Sequence, residues 1–383
     1  VTTTNETPPP IQLGIIGTGL ALERLHWPAL RELAGRYTIV AFADTARGQA
    51  ERFAAYSGAS LDDYAADYRE LLRRDDVEAV LVLVPIPLNL PIARDCLEAG
   101  KHLICEKPAG GDLAEGRDFL ALAGRYPDRV LLVAENWFYR DDLRLARQLL
   151  DSGAIGRPHL VSWRMASQLV PREGQFSNTP WRVSPGYRGG AHLDGGIHHI
   201  AALRLLCGDV ARVHGEVQDA NVTTGGPSDL TLTLRFASGA IGGYTATYPD
   251  IAIPAETNEL SLYGTEAVMT LADQRVRIHR GTAVEELYFD GGDGGYYNEL
   301  CNFFDAVRHG EPLIGTVAQT YSNMQVVLGG LDAAESGRVT TLAPLPGASS
   351  DTGVPLWRPR GASGLFDGLP VRLIREEGGA AIA

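Results

Sequence analysis

A chain of 383 residues, 45% hydrophobic and 21% charged, has the balance of a globular protein, and its length favours two domains. A formal charge of −13, with no dense Lys/Arg stripe, argues against nucleic acid as a direct partner. No segment has the length and apolarity of a membrane span, and the polar, proline-rich start VTTTNETPPP lacks an export-signal pattern, so no membrane partner and a cytoplasmic location are expected. Residues 1–10 read as a flexible segment. From residue 11, short apolar runs (IQLGII, TIVAFA, EAVLVLV, HLIC, VLLVA) alternate with longer amphipathic stretches such as ARGQAERFAAYSG. Runs this short and rich in Val, Ile and Leu suit strands buried on both faces, so residues 11–135 are predicted to form a doubly wound α/β domain with a parallel sheet.

After a predicted helix at DDLRLARQLLDSG the texture changes to segments of period-two alternation, among them HLVSWRMA, ARVHGEVQDA, LTLTLRFASG and VRIHRG. Such alternation predicts an open, largely antiparallel sheet with one wetter face, in an α+β domain over residues 136–344. Two late helices are expected around NELCNFFDAVRHG and TVAQTYSNMQVVLGGLDAAESG, with either domain available to them. Residues 345–383, rich in Pro, Gly and Arg, read as an extended arm. Cys96, Cys105, Cys207 and Cys301 are widely spaced with no CxxC, which indicates neither a zinc site nor a disulfide framework.

The first strand ends in Gly17-Thr18-Gly19-Leu20, and a helical stretch follows. Glycines at that turn let backbone N–H groups approach a pyrophosphate, whose charge the helix N-terminus favours. The second strand ends in Asp44, where a carboxylate can accept hydrogen bonds from an adenosine ribose and repel a 2′-phosphate. NAD is therefore the expected cofactor, with Arg47 leaving NADP possible. The next strands run into Pro85-Ile86-Pro87-Leu88-Asn89 and into Glu106-Lys107-Pro108, both at the carboxyl rim where open α/β sheets bind ligands. Pro85, Asn89, Glu106 and Lys107 join Gly17, Thr18, Gly19, Leu20 and Asp44 as candidate cofactor contacts. From that rim Lys107 can also donate to a substrate hydroxyl or carbonyl, and Pro108 restricts its backbone. The plainer reading makes Lys107 a solvated turn residue.

Downstream stand Trp181-Arg182 and then GGAHLDGGIHH, residues 189–199. A helix opening after Gly190 sets Asp194 and His198 four apart on one face, so that carboxylate and imidazole address one small molecule. An imidazole is a natural proton carrier in an alcohol–ketone interconversion. An indole and a guanidinium suit a sugar ring and its oxygens, making Trp181 and Arg182 candidate substrate contacts. No metal is expected, since no HExxH is present and nicotinamide chemistry needs none.

The order GxG, strand-end Asp, Pro-x-x-x-Asn, EKP, then WR…GG…D-x-G-x-H resembles the Gfo/Idh/MocA oxidoreductases, relatives of glucose–fructose oxidoreductase and inositol dehydrogenase. The likeness spans about residues 11–340 and departs from the family pattern at Leu22, Asn89 and Ala201. It implies a Rossmann domain joined to an α/β domain whose open sheet supports a homodimer or homotetramer, and it makes Lys107, Asp194 and His198 the catalytic group. The expected activity is NAD(P)-dependent oxidoreduction at a hydroxyl or keto carbon of a sugar, cyclitol or sugar derivative. Two rivals keep the fold: a redox-neutral NAD-dependent glycosidase and a non-catalytic NAD-sensing regulator.

Overall fold

The computed structural model describes residues 8–254, 257–289, 292–345, 353–362, 364–365 and 371–376. The first sheet comprises β1 (Ile11–Ile16), β2 (Tyr37–Ala43), β3 (Tyr64–Ala65), β4 (Ala79–Val82), β5 (His102–Glu106) and β6 (Leu131–Ala134). Every pair is parallel, in the order β3-β2-β1-β4-β5-β6. Helices cover both faces, and β4 and β6 are buried along their whole length, which explains their unbroken apolar runs. Chain direction across the sheet reverses between β1 and β4, so their carboxyl ends open a crevice. Gly17 lies there with a left-handed φ of 92°, and a Cβ on it would collide with the Leu83 carbonyl oxygen. Only glycine lets the two strand ends come this close.

The helix after Gly19 widens into a π turn over Leu22–His26, with the Trp27 N–H reaching back to the Leu22 carbonyl. Pro28 follows and has no N–H with which to close a regular turn. Leu22, the departure from the glycine fingerprint, is wholly buried, and His26 is carried inward beneath the strand ends.

The second sheet is mixed: β7 (Pro158–Ala166), β8 (Val210–Gln218), β9 (Asp229–Phe236), β10 (Ile241–Thr247), β11 (Glu259–Gly264), β12 (Val268–Ala272), β13 (Arg275–Arg280), β14 (Ala283–Phe289), β15 (Thr340–Thr341) and β16 (Val371–Glu376). Its order is β15-β8-β9-β10-β7-β11-β12-β13-β14-β16, antiparallel except where β7 meets β10. Along β9 and β10 burial alternates residue by residue, with Leu230, Leu232, Leu234, Tyr244 and Ala246 inward and Thr231, Thr233, Ile241 and Thr245 outward.

Of the late helices, Tyr296–His309 lies on the first domain, where the Tyr37 hydroxyl donates to the Leu300 carbonyl at 2.6 Å. Helix Val317–Ser336 touches both: Gly330 meets the backbone of β8 at Gly215, and Tyr321 fills the space above Gly116 of helix Leu113–Arg125. The expected flexible segment 1–10 and arm 345–383 fall partly outside the described residues. Within the arm, Val354, Trp357 and Leu365 are buried, the carbonyls of Trp357 and Leu365 accept from buried Arg144, and β16 pairs with β14.

Candidate active site

The EKP segment begins on β5 and leaves the sheet at Lys107, with the Lys107–Pro108 peptide cis. Lys107 Nζ donates to the backbone carbonyl of Asp194 at 2.7 Å and to its Oδ1 at 2.9 Å. Arg182 Nε donates to Asp194 Oδ2 at 2.5 Å. Burial acts to raise the Asp194 pKa, but Lys107 and Arg182 on opposite oxygens hold the carboxyl well below the usual carboxylate range. The Arg182 guanidinium lies 4.0 Å from the Trp181 ring centre and 5.3 Å from that of Phe176. The rim lysine is thus tied across the cleft to the second domain's carboxylate.

Asp194 closes a short helix, Gly190–Asp194, and a second helix, Ile197–Cys207, begins after Gly195 and Gly196. The single helix expected from Gly190 is therefore broken at the glycine pair. His198 takes a different carboxylate: its Nδ1 lies 2.5 Å from Glu135 Oε1, at the end of β6. Glu135 is wholly buried and also accepts the Trp137 N–H at 3.3 Å. The Trp137 ring stacks parallel to the imidazole at 5.6 Å and 9°, with the Arg140 guanidinium 4.3 Å from the indole centre. Neighbouring histidines belong to the core: His199 bonds the Tyr244 hydroxyl at 2.7 Å and His192 packs on Tyr248, burial lowering their pKa values to about 3 and about 4.

On the first domain, Asp44 Oδ2 accepts the Thr18 N–H at 2.8 Å and its hydroxyl at 3.1 Å, while Oδ1 accepts the Ala46 N–H at 2.8 Å. A Cβ on Gly19 would meet no atom within 4 Å, so the turn presents backbone to open space, the opening a diphosphate needs. Leu20 and Pro85 are partly exposed at the same strand ends. Asn89 differs from its expected role at the cofactor. It is completely buried and its amide donates to the carbonyls of Glu106 at 2.9 Å and Pro108 at 3.2 Å, bracing the EKP loop from below. Glu106 faces His26 Nε2 at 2.8 Å. Burial pushes the Glu106 carboxyl up, and the His26 hydrogen bond with the nearby His26, Lys107 and His198 charges brings it below its usual value.

Sequence reasoning missed His26, Glu135 and Glu299. Glu299, on helix Tyr296–His309, is wholly buried with neither carboxyl oxygen hydrogen-bonded, and burial together with the Glu106 and Glu135 carboxylates raises its pKa well above the normal value. A readable signal existed for Glu135 alone, an acid directly after the apolar run VLLVA just as Glu106 follows HLIC.

Residues 11–134 match the oxidoreductase family with an NAD-binding Rossmann fold, and residues 143–270 match the GFO/IDH/MocA C-terminal domain. The chain belongs to the Gfo/Idh/MocA oxidoreductase family. It carries that family's NAD-binding domain, and the open cradle at Gly17–Gly19 fits the dinucleotide. Among its relatives is a dTDP-3,4-didehydro-2,6-dideoxy-α-D-glucose 3-reductase of Streptomyces antibioticus, 28% identical over 318 residues, covering 79% of this chain and 90% of the relative. An oxidoreductase of Thermotoga maritima superposes with a TM-score of 0.80 at 28% identity, covering 87% of this chain and 98% of that one. A levoglucosan dehydrogenase bound to NADH and L-sorbose shares the fold with a TM-score of 0.76 at 20% identity, covering 88% of this chain and all of that one. Among the described residues, no helix is long and apolar enough to cross a membrane and no cluster of three or more His, Cys, Asp or Glu side chains could hold a metal ion.

Proposed function

We propose that the protein is an NAD-dependent dehydrogenase that interconverts a CH–OH group and a ketone on a sugar, cyclitol or sugar derivative. The observation that carries this reading is Lys107 at the end of β5 tied to Asp194, with His198 held by Glu135 at the end of the neighbouring β6 and both Lys107 and His198 close enough to act on the Glu106 carboxyl. Bound nicotinamide supplies the acceptor or donor of hydride. The chain's own groups manage the proton and the developing charge. His198, with Nδ1 turned to Glu135, has Nε2 left to take the hydroxyl proton. Lys107 donates toward the same oxygen as it gains alkoxide character, and Asp194 holds the lysine in place. The indole and guanidinium of Trp181 and Arg182 offer a flat face and donors to the rest of a sugar. Relatives that act on dTDP-sugars and levoglucosan point to the same substrate class.

The decisive experiment mixes the protein with NAD or NADP and a panel of sugars, inositols and sugar acids, and follows the absorbance of reduced nicotinamide. Growth of that band with one substrate is the expected result. Tight cofactor binding with no reduction by any panel member, together with release of an aglycone, would replace this reading by a redox-neutral glycosidase. We also assign self-association to the exposed face of β7, β9 and β10, and sedimentation at micromolar concentration should give a dimer or larger species.

A further inference from the structure

Asp194 and His198 are the carboxylate and imidazole that their spacing suggested as one unit, yet each is bonded elsewhere. Asp194 uses both carboxyl oxygens on Lys107 and Arg182. His198 reaches across the domain boundary to Glu135, at 2.5 Å from an oxygen with no exposure to solvent. The other oxygen of Glu135 is buried without a hydrogen-bond partner, so this carboxylate does not spread its interaction over a cluster of side chains. Its bonds are to the imidazole and to the N–H of Trp137, the residue whose ring lies flat along the same imidazole. One short segment, Glu135 to Trp137, therefore fixes both the direction and the plane of His198.

We propose that Glu135 is the positioning residue for His198, holding the imidazole as the Nδ1–H tautomer so that Nε2 is the nitrogen presented to the substrate hydroxyl. The proposal rests on His198 acting as the base in the reaction above. In the oxidative direction the substrate O–H would give its proton to Nε2 while the C–H hydrogen leaves with its electron pair to the nicotinamide acceptor, and the resulting imidazolium is stabilised by the carboxylate at Nδ1. Other charged or titratable groups face this ring: Glu106 from the end of β5, Arg140 beyond Trp137, the adjacent His199 and, one turn back, Asp194 with its two cations. Glu135 is the carboxylate in hydrogen-bond contact with the ring, so its charge is the one whose removal the imidazole should register most strongly.

Two measurements test this. In the wild-type protein labelled with ¹⁵N, long-range proton–nitrogen correlation at alkaline pH should show His198, assigned by its loss in His198→Asn, as the Nδ1–H tautomer. An Nε2–H tautomer overturns the proposal, and this readout needs neither activity nor any substitution at Glu135. Glu135→Gln keeps a hydrogen-bond acceptor and removes the charge. It should lower kcat about 100-fold and shift the acid limb of kcat/KM against pH downward by about one unit, while Glu135→Asp should keep the limb near its wild-type position. A limb that vanishes in His198→Asn but stays fixed in Glu135→Gln overturns the role of Glu135 alone. A limb that persists in His198→Asn removes His198 as the base, and the proposal falls with it.

Discussion

Asp194, largely shielded from solvent, and Glu299, wholly buried, are acids near the EKP strand end whose surroundings differ in one respect. Asp194 lies between Lys107 and Arg182, each bonded to a carboxyl oxygen, whereas Glu299 has no hydrogen-bond partner on either oxygen and shares its surroundings with two further carboxylates, Glu106 and Glu135. Desolvation raises the pKa of both. At Asp194 two nearby cations outweigh it, and at Glu299 the neighbouring anions reinforce it. The surroundings of Asp194 favour its ionised form, which orders the site's cations, while those of Glu299 favour its protonated form. The contrast shows that burial alone does not set the charge of an acid in this cleft; the sign of its neighbours does.

The largest effect should come from the cation side. Lys107→Met should reduce kcat by about 10²- to 10³-fold with little change in NAD affinity, and equal losses in turnover and cofactor binding would show the lysine to be a cofactor ligand only. Asp194→Asn leaves two cations without their carboxylate and should cost roughly 2–4 kcal/mol of stability, read by denaturant unfolding at neutral pH. Because the folded-state pKa of Asp194 is depressed, its contribution is fully present above the unfolded value of about 4 and is lost as pH falls below it. The acid side of the melting profile should therefore be flatter in Asp194→Asn, and a slope equal to wild type would mean that the ion pair is not what acid disrupts.

Glu299→Met tests the other half with the opposite sign. Replacing an unsatisfied buried acid by an apolar side chain of similar volume should stabilise the protein by about 1–3 kcal/mol at neutral pH. The unfolded chain releases the Glu299 proton above about pH 4.5 while the folded chain keeps it, so wild-type stability falls across that window as pH rises. The advantage of the variant should thus grow as pH rises above about 4.5, and a gain that shrinks would mean that Glu299 ionises as readily folded as unfolded. The smallest effect belongs to the nucleotide end. Asp44→Ser should narrow the preference for NAD over NADP by about tenfold, and an unchanged ratio of kcat/KM values would remove Asp44 as the selector.

Much of this arrangement can be read in the sequence, and the reason is local. Apolar runs of four to seven residues such as AVLV and YTIVAFA carry their own strand signal, and GTG and EKP stand directly at strand ends, so the crevice and the rim lysine follow from order along the chain. The pairings across the cleft do not. Spacing put Asp194 beside His198, but Gly195 and Gly196 interrupt the helix, and tertiary contacts give each residue a partner from a distant segment. His26 and Glu299 sit in amphipathic helices where nothing local separates an inward polar residue from an outward one. Asn89 was placed at the correct strand end, but only the fold shows its amide spent on the loop beneath Lys107.

Helix Val317–Ser336 is packed against both domains at once, through Gly330 at Gly215 of β8 and Tyr321 at Gly116 of helix Leu113–Arg125. A strut wedged in this way resists hinge bending, because swinging one half away from the other would have to open two close-packed contacts together. The chain between β7 and Gly189 is held differently, its Gly174 and Gln175 meeting Arg24 through side-chain hydrogen bonds exposed to water. Water competes for those bonds, so this segment can loosen locally while the strut keeps the two domains in place.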